Sequence, residues 1–330
     1  MEKKITMADV AKLSGVGKST VSRYFNGGYV KEETRKRIQK VIDDYDYEPN
    51  TFARLNARAS NVIGVVVPTL NSKITGRVIT SIDRYLRERG YTTIIKSSDH
   101  DISLELQNMK RLARLNVDGI ILSALSVTKE QETVIKETGV PVVVLAQEYP
   151  SDVCVLDDDY GAGYAMGEYI GKRRFKNVGY VGIPETDEAV GIVRTKGVME
   201  GLASEEIHQV RTVLGDYSFE SGYEAARELF KEGERPDAVI CATDRMAFGV
   251  YKYLKERGLR IPEDVSVAGF GGYDESTLLN PALTTLKFDS YRVGTLGAET
   301  LLKMISGGKV PKKQSVGFEF VEGESVRKVE

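Results

Sequence analysis

From Val62 onward the chain repeats one kind of unit. Continuous apolar runs of strand length, VIGVVVP, YTTIIKS, VDGIILSAL and VPVVVLAQ, alternate with helical patterns such as Val78, Ile82 and Leu86 spaced among polar residues. A strand that is apolar throughout is covered on both faces. Alternation with helices then predicts parallel α/β sheets. The pattern restarts after Asp157: a helix over 159–173, VGYVGI, a helix over 188–203, a strand near Thr212–Tyr217, a helix over 219–232, DAVICAT, a helix over 245–257 and VSVAGF. One compact sheet of this style does not hold so many strands. The expectation is two doubly wound subdomains, with a cleft where their strand ends face one another.

The first 61 residues have a different texture. In TMADVAKLSGVGKSTVSRYFN, Ala11, Gly15 and Val21 stand at the spacing that two short helices crossing at a steep angle require. Ala11 permits close approach, Gly15 supplies a left-handed turn, and Val21 fills the angle. Thr6 followed by Asp9 reads as a capping box. Val10, Leu13, Val16, Val21 and Phe25 form the expected buried side. Lys18, Ser19, Ser22, Arg23 and Asn26 remain on the outer side of the second helix, as groups that reach base edges and phosphates. This is a helix-turn-helix pattern, and an ordinary helical hairpin with a solvated face has the same spacing. A third helix is predicted over Glu32–Tyr45, with Ile38, Val41 and Ile42 inward. Pro49 forbids its continuation, and Asn50 can cap a further short segment, TFARLNARAS, that alone is marginal as a helix.

Length and charge bear on partners. At 330 residues the chain exceeds one typical core, and 41% hydrophobic residues is ordinary for a globular protein. No apolar run approaches the ~20 residues of a membrane span, and MEKKITMADV lacks the apolar segment of a secretory signal. A cytoplasmic location without membrane contact is therefore expected. Cys154 and Cys241 fall in predicted buried strands, as free thiols of a reducing compartment. His100 and His208 show no metal-ligand spacing, and neither metal nor cofactor is expected. The net charge of −2 by itself argues against a nucleic-acid partner, yet residues 1–61 carry a net +4 and the remainder −6. A basic head on an acidic body fits a DNA-binding domain joined to a regulatory one.

Several segments in order resemble one family over essentially the whole chain: DVAKLSGVGKSTVSRYFNG, EETRKRIQKVI, YEPN, IGVVVP, VDGIIL, CATDRMAFGVYKYLKERGLRIPEDVSVAGF and PALTTLKFD. They resemble the LacI/GalR family of bacterial transcriptional repressors. KSTVSRYFNGGYV and GFGGYD look most like its Gram-positive repressors of sucrose utilisation. The resemblance implies an all-α helix-turn-helix head over 1–48, a hinge helix and linker over 49–61, and an α/β core over 62–330 of two doubly wound parallel-sheet subdomains, like periplasmic binding proteins. The N-subdomain is expected at about 62–157 plus 291–317, and the C-subdomain at about 158–290 plus 318–330. It further implies a homodimer on double-stranded, pseudo-palindromic operator DNA, released by a sugar or sugar phosphate. A corepressor protein or metabolite, as in global catabolite regulators of the same fold, is the alternative partner.

Residue roles follow from the same resemblance. Lys18 and Ser19 stand where the family reads bases, and Arg23 reaches a guanine edge or a phosphate. Thr6, Ser22, Asn26, Tyr29 and Arg35 would hold phosphates. Asn50 and Arg54 are candidates for groove and backbone contacts. The family's minor-groove leucine is displaced here: Asn56 stands at its position and Leu55 one residue earlier, so either residue can face the groove. In the cleft, Arg194 matches the family arginine that clamps ligand hydroxyls, and its fork also suits a phosphate. Tyr217 aligns with a stacking aromatic. Thr243 and Asp244 stand at a strand end, where Asp244 is a ligand contact or a helix cap. Asn71, Ser72, Ile74 and Gln147 are expected on the N-subdomain side, and Asp158 faces the cleft or caps a helix. Gly271 and Gly272 replace the family's cleft aspartates and are expected to open space for a larger ligand. Tyr273 or Asp274 is then expected to fold back into the role. No nucleophile elbow, phosphate loop, dinucleotide fingerprint or histidine–carboxylate pair supports an enzyme.

Overall fold

The computed structural model describes residues 5–25, 28–47, 60–124, 126, 128–149, 153–231 and 235–328. The chain divides into two units, Met1–Ser60 and Asn61–Glu330.

Among the described residues, the first unit packs three helices, α1 (Met7–Leu13), α2 (Lys18–Phe25) and α3 (Glu32–Tyr45). Thr6 caps α1 by accepting from the Asp9 amide, and the Asp9 carboxylate accepts from the Thr6 amide at 2.8 Å, the reciprocal box. Gly15 takes φ +67° in the turn. Val10, Ala11, Val21, Ile38 and Val41 form the core, with Val16, Phe25 and Ile42 packed at its margin. Leu13 departs from expectation and is 49% exposed. It lies in the last turn of a helix only seven residues long, whose buried face is already filled by Val10 and Ala11.

The second unit contains two six-stranded sheets. The first runs β1 (Val62–Val67), α4 (Lys73–Arg87), β2 (Thr92–Ser97), α5 (Ile102–Arg114), β3 (Gly119–Ser123), α6 (Lys129–Thr138), β4 (Val142–Leu145) and β5 (Val153–Asp157). The second follows with α7 (Asp159–Gly171), β6 (Val178–Gly182), a π-helical turn (Glu188–Arg194), α8 (Thr195–Ala203), β7 (Val210–Leu214), α9 (Phe219–Leu229), β8 (Ala238–Cys241), α10 (Asp244–Glu256), β9 (Ser266–Phe270) and β10 (Thr284–Phe288). The chain then returns through α11 (Ser290–Ile305) to β11 (Lys313–Val316), and ends with β12 (Phe318–Val321). The strand orders are β11-β5-β4-β3-β1-β2 and β12-β10-β9-β8-β6-β7. Pairing is parallel throughout except between β10 and β12.

The chain passes between the sheets at 157–159, 288–290 and 316–318. Helix α11 buries Val293, Ala298 and Leu301 against the first sheet, beside Ile63, Val65 and Val143. Cys154 and Cys241 are buried and unpaired in β5 and β8. Two element ends differ from the sequence reading. The helix over 188–203 begins as a π-helical turn. The strand near Thr212–Tyr217 ends at Leu214, because Tyr217 takes φ +71° and turns its ring toward the cleft.

Candidate functional site

Two surfaces carry the polar chemistry that the folds leave uncommitted. On the head, α2 exposes Lys18, Ser19 and Arg23 and half-buries Ser22. Val21 anchors the opposite side with no exposure. Tyr29 is 82% exposed just beyond the helix, an unusual state for an aromatic. Arg35 on α3 lies over the Tyr24 ring at 5.2 Å, and Tyr24 donates to Gln39, so α2 and α3 are tied beneath the exposed row. The Thr6 hydroxyl is already held by Asp9 at 2.7 Å. A basic, short-side-chain helix face backed by a rigid core is what major-groove reading needs. Asn26, Asn50, Arg54, Leu55 and Asn56 lie outside the described residues.

In the core, a cavity of about 340 Å³ opens between the carboxyl ends of the two sheets. This is where ligands bind in open α/β folds, because loops and helix N-termini converge there. Asn71, Ser72 and Ile74 contribute from the β1–α4 connection, and Gln147 from the end of β4. Arg194, Tyr217, Thr243 and Tyr273 contribute from the second sheet's loops. Eight cleft residues named from the sequence therefore line one cavity.

Three others are placed elsewhere. Asp158 caps α7, accepting from the Gly161 amide at 3.0 Å. Asp244 has no exposure and binds Thr285 at 2.6 Å, Ser276 at 2.8 Å and the Tyr273 amide at 3.0 Å, so it holds the 271–276 loop from behind. The cap of α10 is not Asp244 but the cavity-lining Thr243, which accepts from the Met246 amide. The Asp274 side chain is 86% exposed and pairs with Arg77 at 3.2 Å. The two glycines do not open space. A Cβ on Gly271 would stand 2.9 Å from the Tyr273 ring, which fills that position, and one on Gly272 would strike Lys287. Their φ values of +136° and +59° are the reason for glycine there. Tyr273 does fold back into the cavity wall.

The cavity is acidic in a way that the motif reading missed. Asp157, Asp159, Asp187 and Asp216 line it, with Arg194 and Arg245 as the cations. Arg194 is 7% exposed and donates from Nε to Asp159 at 2.8 Å, from Nη2 to the same carboxylate, and from Nη1 to the Ala242 carbonyl at 2.8 Å. Asp187 is a crossing point: it accepts from Gln147 of the first sheet at 3.1 Å, from the Val190 amide and from the Tyr217 hydroxyl. Burial and that carboxylate together push the Tyr217 phenol well up, so it stays a donor. Asp157 Oδ1 is enclosed and has no partner among the described residues. Burial, reinforced by Asp159, pushes the Asp157 carboxyl up to about 7. His100 stacks on Tyr217 at 6.3 Å from the first-sheet side. The run Asp157-Asp158-Asp159 at a strand's carboxyl end was the available sequence signal.

Further contacts join the cavity's two walls at the rim. Lys73 pairs with Glu275, Arg77 reaches the Gly272 carbonyl at 3.2 Å, and Arg245 reaches the Asn71 carbonyl at 3.1 Å.

A helix-turn-helix unit and a two-sheet core with a polar cavity define a ligand-responsive DNA-binding regulator. Residues 6–50 match the model for bacterial regulatory proteins of the lacI family, and 168–326 that for a periplasmic binding protein-like domain. The sucrose operon repressor of Staphylococcus xylosus is 31% identical over 300 residues, 91% of this chain and 93% of its own. The crystal structure of the lac repressor dimer bound to operator and the anti-inducer ONPF shares the fold, with TM-score 0.89 at 23% identity over 98% of this chain and 99% of that one. A complex of the regulator CelR with cellobiose gives TM-score 0.74 at 26% identity, over 97% and 99%. The chain belongs to the LacI family: it is a sequence-specific DNA-binding transcriptional repressor with an effector-binding core.

Proposed function

We propose that this repressor acts on carbohydrate-utilisation genes in the bacterial cytoplasm, as a homodimer on a pseudo-palindromic operator, and is released by a sugar bound in the core cavity. The observation that carries this reading is the convergence of Arg194, Tyr217, Gln147 and the cavity aspartates at the strand ends, a set able to hold hydroxyl groups. Likeness to a sucrose operon repressor and to a cellobiose-bound regulator supports the sugar class. A two-fold pair of heads would read two half-sites about one helical turn apart. Lys18, Ser19 and Arg23 would meet base edges, and Ser22, Tyr29 and Arg35 phosphates.

The mechanism needs only a difference in affinity. A ligand that favours one arrangement of the two sheets shifts the chain toward it, with a coupling of about 1–3 kcal/mol. The cross-cavity contacts of Asp187 with Gln147, and of Arg77 with Asp274, would report that arrangement. Operator titration by fluorescence anisotropy tests the reading: saturating sugar lowers operator affinity by roughly 5–150-fold. Sugar that raises the affinity would assign corepression, and turnover of the sugar would assign an enzyme.

A further inference from the structure

We propose that the loop over 271–276 is an ionic latch, which grips the first two turns of α4 across the cavity rim and holds the two sheets in one arrangement while no effector is bound. The inference rests on the two sheets moving against one another in the switch proposed above. It adds the groups that fix their resting arrangement.

Lys73 and Arg77 stand four residues apart, on one face of α4. Lys73 pairs with Glu275. Arg77 donates from Nη1 to the Gly272 carbonyl at 3.2 Å and from Nη2 to Asp274 at 3.2 Å. Two cations on one wall thus meet two carboxylates on the other. Lys73 and Glu275 are 202 residues apart in the chain, so no local preference makes them meet. The loop is built to be gripped. Gly271 and Gly272 take φ +136° and +59°, a bend that presents the Gly272 carbonyl to Arg77. Behind it, the Gly271 amide donates to the Leu286 carbonyl at 2.7 Å, and Asp244 accepts from the Tyr273 amide at 3.0 Å and the Ser276 hydroxyl at 2.8 Å. The loop therefore moves with the second sheet. Helix α4 moves with the first, into which it buries Val78, Ile82 and Leu86. Lys73, Arg77, Asp274 and Glu275 stand outside the cavity lining, so they act on the arrangement of the walls and not on the ligand. The Arg77 side chain is only 15% exposed, which shields its contacts from water. Exposed ion pairs are individually weak, but two arrangements close in free energy need only a small bias.

Pulsed electron paramagnetic resonance on the full chain, with no effector added, tests this. Nitroxide labels at Ser103→Cys on α5 and Glu220→Cys on α9 report the separation of the two walls. Both positions are exposed and lie outside the latch and the cavity lining. The native thiols of Cys154 and Cys241 are buried away from the label. The expected result is one dominant distance in the otherwise native chain. Arg77→Met shifts the ratio toward a second arrangement by about fivefold or more, and Lys73→Glu shifts it the same way. Lys73→Glu combined with Glu275→Lys restores the single distance, because the swap keeps the pair and reverses its sense. A loss of packing alone is not rescued by such a swap. Circular dichroism checks that each variant is folded, and Lys73→Glu with its swap carries the test if Arg77→Met does not fold. An unchanged distribution in the folded single variants, or a swap that behaves like Lys73→Glu, overturns the latch. Operator affinity that stays the same while the distances widen overturns instead the link between sheet arrangement and operator release, and leaves the latch standing.

Discussion

At the scale of single residues, Asp157 and the α2 face behave oppositely. Asp157 is a carboxyl whose folded state prefers the proton, with its titration lifted from an ordinary ~3.9 to about 7. Between those values the folded chain holds a proton that the unfolded chain has released. Stability is therefore complete below the unfolded value and falls as pH rises through the folded one. Asp157→Asn removes the penalty: the variant melts at a higher temperature than the native chain at pH 8, and the difference disappears toward pH 4 in a thermal-denaturation series. The exposed head residues carry no such burial cost, and their substitutions act on DNA alone. Lys18→Ala is expected to change which operator bases are preferred, whereas Arg35→Ala weakens all sequences alike and reduces the salt slope by about 1. Binding across an operator-variant set at several salt concentrations separates the two.

At the scale of elements, one helix pair sets the cavity. Helices α7 and α8 approach so closely that a Cβ on Gly163 would strike the Arg194 carbonyl, and one on Gly167 the Val198 carbonyl. That approach brings Arg194 onto Asp159 at the start of α7. Gly163→Ala must push the pair apart, an overpacking cost of about 1–3 kcal/mol. Urea denaturation of the variant is expected to show that loss, together with weaker effector binding. The strands and most helices of this core were legible in the chain because apolar runs such as VIGVVV have one satisfactory environment, a sheet covered on both faces. The π-helical turn at Glu188–Arg194 was not legible, since EAVGIVR has ordinary helical periodicity and only packing decides its extra residue. Leu13 failed for a related reason: seven residues of α1 give too short a period to say which apolar side chain the third helix leaves uncovered.

At the scale of the whole molecule, the head and the core divide as two units, and any coupling between effector and operator is a binding linkage. Linkage then makes a strict demand: the factor by which effector lowers operator affinity equals the factor by which operator lowers effector affinity. Operator titrations with and without sugar, and sugar titrations with and without operator, should return the same factor within error. The sequence alone determined the kinds of element, because cap, turn and apolar spacing are local or periodic signals that survive without coordinates, and its ordered segments carried the resemblance that gave the class of molecule. It also determined that Arg194, Tyr217 and Gln147 belong to one site, since motif position carried them there. Tertiary structure alone decided what surrounds them. Which carboxylates face a cavity depends on how strand ends from distant parts of the chain converge: Asp187 meets Gln147 across 40 residues, and Asp244 turns away to Thr285 across 41. No spacing rule encodes those meetings: the first is set by the two sheets facing one another, the second by the order of strands within the second sheet.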